Sequence, residues 1–286
     1  MNIELITPQS AFSVFKKRDD LANKGDFGKA MLICGCYGMA GAAVLAAKAC
    51  LKSGVGLCQV VCPEEIYPIV AASVHEPVFL PFDGNMDKVA EDINKADCVV
   101  LGCGMGNTDY TLNMLKTALK CSKVPLIIDA DGINVLSQNI ELLQGHTCPL
   151  VLTPHPGEMA RLINTTVEYV QQNRVAVAVE FAKKHNVILV LKGHDTLIAL
   201  PSGEVFVNTS GNPGMATGGS GDMLCGVMAA LVAQKIALSD AVKSAVYIHG
   251  LAGDLSAAKL SQISTTPTDM IDCLPIIFSD IERSFQ

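Results

Sequence analysis

A chain of 286 residues that is half hydrophobic and only 17% charged can bury a large core, in one big domain or two small ones. Its net charge of −7, with no basic run longer than Lys16-Lys17-Arg18, argues against a broad nucleic-acid surface and for a small ligand. The start, Met1-Asn2-Ile3-Glu4, has neither the basic flank nor the apolar core of an export signal, and no apolar run reaches membrane-spanning length, so a cytoplasmic protein without membrane contact is expected.

Thr7-Pro8 reads as a helix start, and Phe12 and Phe15 then share one face of a short helix ending near Arg18. Residues 1–20 are thus expected as a helical arm, packed on the body or on another subunit. The polar stretch Asn23 to Lys29 leads into a buried strand, Ala30 to Gly35. An Ala- and Leu-rich helix, Gly41 to Lys52, ends at Ser53-Gly54 and is followed by strand Gly56 to Val61, a βαβ unit. The same grammar repeats: strand Asp97 to Gly102, helix Thr108 to Lys120, strand Val124 to Asp129, helix Ile133 to Leu143, strand Leu150 to Thr153. A long helix, Glu168 to Lys184, precedes strand Val187 to Leu191. Asp195 to Leu200 and Glu204 to Val207, joined by Pro201-Ser202-Gly203, read as a hairpin. Helices Asp222 to Ala233, Leu238 to Lys259 and Pro267 to Ser284 close the chain. With no linker or repeat, residues 1–286 are expected as one domain. Its fold class is an α/β/α sandwich of three layers, with a mostly parallel central sheet and antiparallel strands near the C-terminal half.

The eleven cysteines have spacings unsuited to zinc. Cys34 and Cys36 lie in one strand-like segment, Cys58 and Cys62 in another, and no second pair completes a ligand set. They read as apolar filler.

The stretch from Gly211 to Asp222 carries five glycines in twelve residues and runs from a strand into a helix. Glycines there bring backbone N–H groups close to a ligand, and the helix N-terminus adds positive potential, which suits phosphate. No Gly-Lys-Ser/Thr follows, so this is not a Walker loop. Gly218, Gly219, Ser220 and Gly221 are the candidate phosphate contacts. Asp222 beside such a site has a task, that of accepting a proton from an attacking hydroxyl or holding Mg²⁺.

Ligands of such sheets bind outside the carboxyl ends of the strands. Those ends carry Gly102-Cys103-Gly104-Met105-Gly106, then Asp129-Ala130-Asp131-Gly132-Ile133-Asn134, then Thr153-Pro154-His155-Pro156-Gly157-Glu158, and Lys192-Gly193-His194-Asp195-Thr196. By charge, Lys192 and the N–H groups of Gly193, His194, Asp195 and Thr196 suit a nucleotide or its phosphates. Asp129, Asp131 and Glu158 suit Mg²⁺, directly or through water, although Asp129 could equally cap the next helix. His155, with no second His at ligand spacing, suits substrate rather than metal.

Together with Lys24-Gly25-Asp26-Phe27-Gly28 and the Gly41-Ala42-Ala43 helix start, these pieces resemble the ADP/ATP-dependent NAD(P)H-hydrate dehydratases of the ribokinase-like superfamily, from about Asn23 to Ala258. The resemblance implies a ribokinase-like fold and repair of hydrated NADH and NADPH. The ring hydroxyl is phosphorylated and phosphate is then lost. It implies that Ala42 or Ala43, Gly104 or Gly106, His155 and Asp222 contact the hydrated dinucleotide, and that Lys192 to Thr196 and Gly221 contact the adenine nucleotide. The family usually has His where Asn23 stands, Pro where Cys103 stands, and Ala-Leu-Asn where Gly132-Ile133-Asn134 stands. The chain begins almost directly at the dehydratase part, so the stand-alone bacterial type is expected, with ADP as preferred donor and a homotetramer. A vitamin or sugar-alcohol kinase of the same superfamily is the alternative, since the glycine loop and Asp222 would serve it identically.

Overall fold

Strands buried on both faces read as unbroken apolar runs, and here such runs build one ten-stranded sheet. A computed structural model describes residues 3–285, so Met1, Asn2 and Gln286, the ends of the expected 1–286 domain, lie outside the described residues. The strands are β1 (Ile3–Leu5), β2 (Lys29–Ile33), β3 (Leu57–Pro63), β4 (Val78–Phe82), β5 (Cys98–Leu101), β6 (Leu126–Ile128), β7 (Leu150–Leu152), β8 (Ile188–Leu191), β9 (Thr196–Ala199) and β10 (Val205–Asn208). Their order is β1-β10-β9-β8-β7-β6-β5-β2-β3-β4. All pairs are parallel except those of β9 with β8 and with β10, as the hairpin reading requires. The fold is thus the expected ribokinase-like α/β/α sandwich.

Alternation within β2 shows the two cores. Ala30 and Leu32 face a layer that includes helices Ala40–Lys52, Ser220–Ala233, Leu238–Lys259 and Pro267–Arg283. Met31 and Ile33 face the other layer, built by helices such as Asp109–Cys121 and Arg174–His185. Helix Ser220–Ala233 is buried all round from Met223 to Ala233, which is why its sequence shows no polar face. Any side chain at Gly226 would fall 2.2 Å from the Ala46 carbonyl oxygen, so this helix and Ala40–Lys52 touch backbone to backbone.

Several expectations need correction. The arm is a strand, β1, followed by a helix of only Pro8–Phe12, because edge pairing with β10 claims the first residues. It packs on its own chain: Ser244 donates to the Ala11 carbonyl at 2.7 Å, and Phe12 and Phe15 meet Tyr247 and Phe278 edge-on. The helix expected over 133–143 starts at Ala130 and gives way after Ser137 to a single turn, Ile140–Leu143. The long helix over 168–184 breaks at Asn173 into Val167–Gln172 and Arg174–His185. Residues 64–96, left without elements by the periodicity, hold helices Tyr67–Ser73 and Met86–Ile93 around β4.

The sheet order fixes the site. From β2 the chain runs outward through β3 to β4, returns to the other side of β2 as β5, and then proceeds the opposite way. The crevice at this reversal opens between the carboxyl ends of β2 and β5. Helix Ser220–Ala233 packs against both of these strands, which brings Asp222 to the crevice.

Candidate active site

Asp129, His155 and Lys192 stand just past the ends of parallel strands, and Asp222 in the first turn of helix Ser220–Ala233. Asp129 follows β6, is 1% exposed, and accepts from the Lys192 ammonium at 2.6 Å. Lys192 follows β8, its backbone N–H tied to the Pro154 carbonyl, and its side chain is four-fifths buried, with 20% exposure. Burial opposes its charge, yet the carboxylates of Asp129 and Glu158 outweigh that and raise its pKa. Asp129 is correspondingly held below the usual carboxylate value: burial works against ionisation, and the Lys192 charge more than offsets it.

Gly221 lies directly on this ion pair. A Cβ there would come 3.2 Å from Asp129 Oδ2 and 3.4 Å from Lys192 Nζ. The first N–H groups of the helix, Gly221 and Asp222 among them, have no helical partner, so space, amides and ammonium converge. Gly221→Val is therefore expected to weaken both nucleotide binding and turnover, because two branching methyls would occupy the space beside Lys192. Unchanged ADP affinity by calorimetry would place the phosphate elsewhere.

Asp222 is partly buried, with the Cys103 thiol close beside it. Burial raises its pKa above the ordinary carboxylate value and the nearby charge of Asp129 adds to this, which makes it a stronger base. Gly219 begins the helix with φ +94°, a conformation open to glycine, and a Cβ there would strike Leu45.

The glycine loop is clamped from behind by helix Leu238–Lys259. Ser210 donates to the Tyr247 carbonyl, Asp254 accepts from the Gly211 N–H and the Asn212 amide, and His249 Nε2 lies 2.9 Å from the Ser220 carbonyl. Burial lowers the His249 pKa to about 4, so the ring is a neutral donor. Nothing in the spacing of this helix marks His249 or Asp254 in sequence.

His155 caps helix Pro156–Leu162, which the sequence reading took as loop. Its Nδ1 accepts from the N–H groups of Gly157 and Glu158 at 3.0 and 3.2 Å, so the proton sits on Nε2, 3.3 Å from Glu158 Oε1. Half of its side chain remains exposed to the crevice, 50%. Burial, then the charges of Lys192 and Arg161, lower its pKa, so it is neutral near pH 7. Glu158 is nearly enclosed and pushed up to about 7, by burial first and by Asp129 next.

The three expected Mg²⁺ carboxylates do not share one point. Asp131 Oδ2 accepts from the Gly106 N–H at 2.8 Å and Oδ1 from Asn134, so it anchors the Gly102–Gly106 loop. Asp129 and Glu158 face Lys192 instead. Among the described residues the converging ligand set is Cys103, Asp129 and Cys225.

Of the two alanines, Ala43 is fully buried and Ala42 partly exposed, its methyl group facing Gly104. Gly104 and Gly106 both lie on the rim, with φ +60° and +75°. The turn Gly193, His194, Asp195, Thr196 is closed by Thr196 Oγ1 on the Gly193 carbonyl. Arg174 braces it through the carbonyls of Leu191, Lys192 and Asp195, a role no motif signals. A cavity of about 1140 Å³ lined by Phe15, Lys17, Arg18, Lys52, Gln234 and Phe278 lies at the other ends of these helices, away from Asp222.

Comparison with known proteins agrees with this geometry. Residues 30–276 match the family described as NAD(P)H-hydrate dehydratase. An ADP-dependent (S)-NAD(P)H-hydrate dehydratase of Neisseria meningitidis is 38% identical, the alignment covering 85% of this chain and 81% of that protein. A bifunctional NAD(P)H-hydrate repair enzyme of Moorella thermoacetica is 35% identical over 100% of this chain but 56% of its own length. The chain thus spans about half the length of the bifunctional relatives it matches. The crystal structure of the Bacillus subtilis ADP/ATP-dependent NAD(P)H-hydrate dehydratase, co-crystallised with ATP and Mg²⁺, superposes with a TM-score of 0.88 at 29% identity, covering 99% of this chain and 100% of that one.

Proposed function

The chain belongs to the NAD(P)H-hydrate dehydratase family, and from that premise we propose that it dehydrates hydrated NADH and NADPH at the expense of ADP or ATP, as a carbon–oxygen lyase. The observation that carries this reading is a carboxylate of raised pKa, Asp222, placed at a helix N-terminus beside Gly221 and Lys192 in the crevice between β2 and β5. ADP is the donor named for the Neisseria meningitidis relative, and it is proposed here.

In this reading the ring hydroxyl of the substrate lies against Asp222. The donor phosphates lie on the N–H groups of Gly218, Gly219, Ser220 and Gly221 and on Lys192, with the nucleotide along Gly193 to Thr196. Asp222 takes the hydroxyl proton as oxygen attacks the terminal phosphorus. The donor leaves as AMP from ADP or as ADP from ATP; the ester formed is a far better leaving group than hydroxide, and loss of inorganic phosphate together with a proton from the adjacent ring carbon restores the ring double bond. Lys192 and the backbone amides neutralise charge on the transferred group. His155, Ala42, Gly104 and Gly106 line the dinucleotide side.

Mg²⁺ held with the donor phosphates would supply charge neutralisation there. Glu158 and Asp129 would meet it through water, because their oxygens are already engaged by His155, Lys192 and Cys225. Asp131 is fully engaged by Gly106 and Asn134 and suits a positioning role. The family resemblance also supports a cytoplasmic homotetramer, which light scattering on the eluting protein tests.

The deciding assay supplies hydrated NADH, Mg²⁺ and ADP or ATP. Regenerated NADH with inorganic phosphate supports repair, whereas a stable phosphorylated product would favour a small-molecule kinase.

His155 has two separable roles. Removing the cap in His155→Ala should cost about 1 kcal/mol of stability. His155→Asn keeps a capping side chain and should restore the Tm, yet still show a raised KM for hydrated NADH with ADP affinity unchanged. Normal kinetics in His155→Asn would reduce the residue to a cap.

A further inference from the structure

We infer that Cys103, Cys225 and Asp129 form a binding site for a thiophilic divalent ion such as Zn²⁺, and that its occupation shuts the active site. The three side chains come from three different elements: the loop after β5, the first turns of helix Ser220–Ala233, and the end of β6. Their ligand atoms all lie within 4.8 Å of one another and all three residues are buried. Tetrahedral zinc with Zn–S bonds of about 2.3 Å holds its sulfurs about 3.8 Å apart, a separation inside the 4.8 Å that spans these ligand atoms. Cys225 Sγ already touches Asp129 Oδ2 at 3.3 Å. The backbone carrying Cys103 is pinned, its carbonyl accepting from the Gly35 N–H at 2.8 Å. A further buried thiol, Cys34, lies beside Cys103, outside the ligand set.

Charge selects the ion. Asp129 and Lys192 form a neutral pair. When the ion bonds to both sulfurs, two thiol protons leave to solvent. Two thiolates and a divalent cation then add no net charge to the buried site. Two sulfur ligands disfavour Mg²⁺ and Ca²⁺, which prefer oxygen.

The position explains the effect on activity. The Cys103 thiol lies close beside the Asp222 carboxylate, and Asp129 Oδ2 lies where a Cβ of Gly221 would touch it. An ion there removes the Cys103 proton and sets a cation against Asp129 Oδ2, between Asp222 and the Gly221 amide, disturbing the base and the phosphate contact together.

The test uses the full chain, reduced and stripped with a chelator, titrated with Co²⁺ and then Zn²⁺. One equivalent of Co²⁺ should give sulfur-to-cobalt charge-transfer absorption in the near ultraviolet with two protons released, and Zn²⁺ should then abolish the band with no further proton release. Cys103→Ser and Cys225→Ser, each shown folded by circular dichroism, should lose the band. Cys36→Ser, which removes a rim thiol outside the set, should keep it. Zinc should abolish hydrated-NADH turnover in the presence of excess Mg²⁺, and a chelator should restore it. Absence of the band, or a band unchanged in both Cys103→Ser and Cys225→Ser, overturns the site. A band with turnover unaffected by zinc overturns the shut-off while leaving ion binding in place. Because the absorption is read without substrate, the site can fail or stand independently of the proposed reaction.

Discussion

Asp222→Asn is expected to lower kcat by on the order of 10²- to 10⁴-fold, the range typical for loss of a general base. The fold should persist, because Asn matches Asp in size and the Asp222 side chain is only partly buried. Nucleotide affinity should stay equal or improve, since a negative charge beside the phosphate site has been removed while the helix amides and Lys192 remain. The pH profile gives a second reading. Burial, and secondarily Asp129, raise the Asp222 pKa, so wild-type kcat/KM should fall as pH drops through a value above the ordinary 3.8. The residual activity of Asp222→Asn should lack that limb. A variant turning over at near wild-type rate would remove Asp222 from the mechanism.

Lys192→Met should be the most destabilising change at the site. Its ammonium neutralises a carboxylate that is only 1% exposed, and removing one partner of a buried pair costs about 3–5 kcal/mol. One-fifth of the Lys192 side chain reaches solvent, at 20% exposure, which favours the lower end, about 3 kcal/mol. The melting temperature should then fall by roughly 5–10 °C. In the wild type the Asp129 pKa is depressed, so the pair's contribution is present above the unfolded carboxylate value and is lost as pH falls through the folded one. The difference between Lys192→Met and wild type should therefore be largest near neutral pH and shrink in acid. Adding Asp129→Asn to Lys192→Met should recover stability but not ADP binding. If the double variant melts no higher than the single, the loss was one of packing and not of charge.

Part of this was determined by sequence alone. The alternating apolar runs and helices of residues 29–152 give a parallel sheet because buried strands carry no polar face, and Pro201-Ser202-Gly203 marks the reversal between β9 and β10. The glycines before Asp222 are legible because only a close backbone approach explains five of them in twelve residues. Local pattern failed where tertiary contact decides. Edge pairing with β10 made Ile3–Leu5 a strand, and His155 started a helix by capping it with a ring nitrogen, which no sequence rule for caps includes. Spacing marked Asp129, Asp131 and Glu158 for Mg²⁺, directly or through water, but not their protein partners: Lys192 pairs with two of them and the Gly106 N–H with the third, because strand order sets which ends are neighbours. Residues 103, 129 and 225 stand far apart along the chain, so no spacing argument could join Cys103 to Cys225 through Asp129. Adjacency of β2, β5 and β6 beneath helix Ser220–Ala233 brings them together, and His249 and Asp254 behind the loop owe their roles to the same packing.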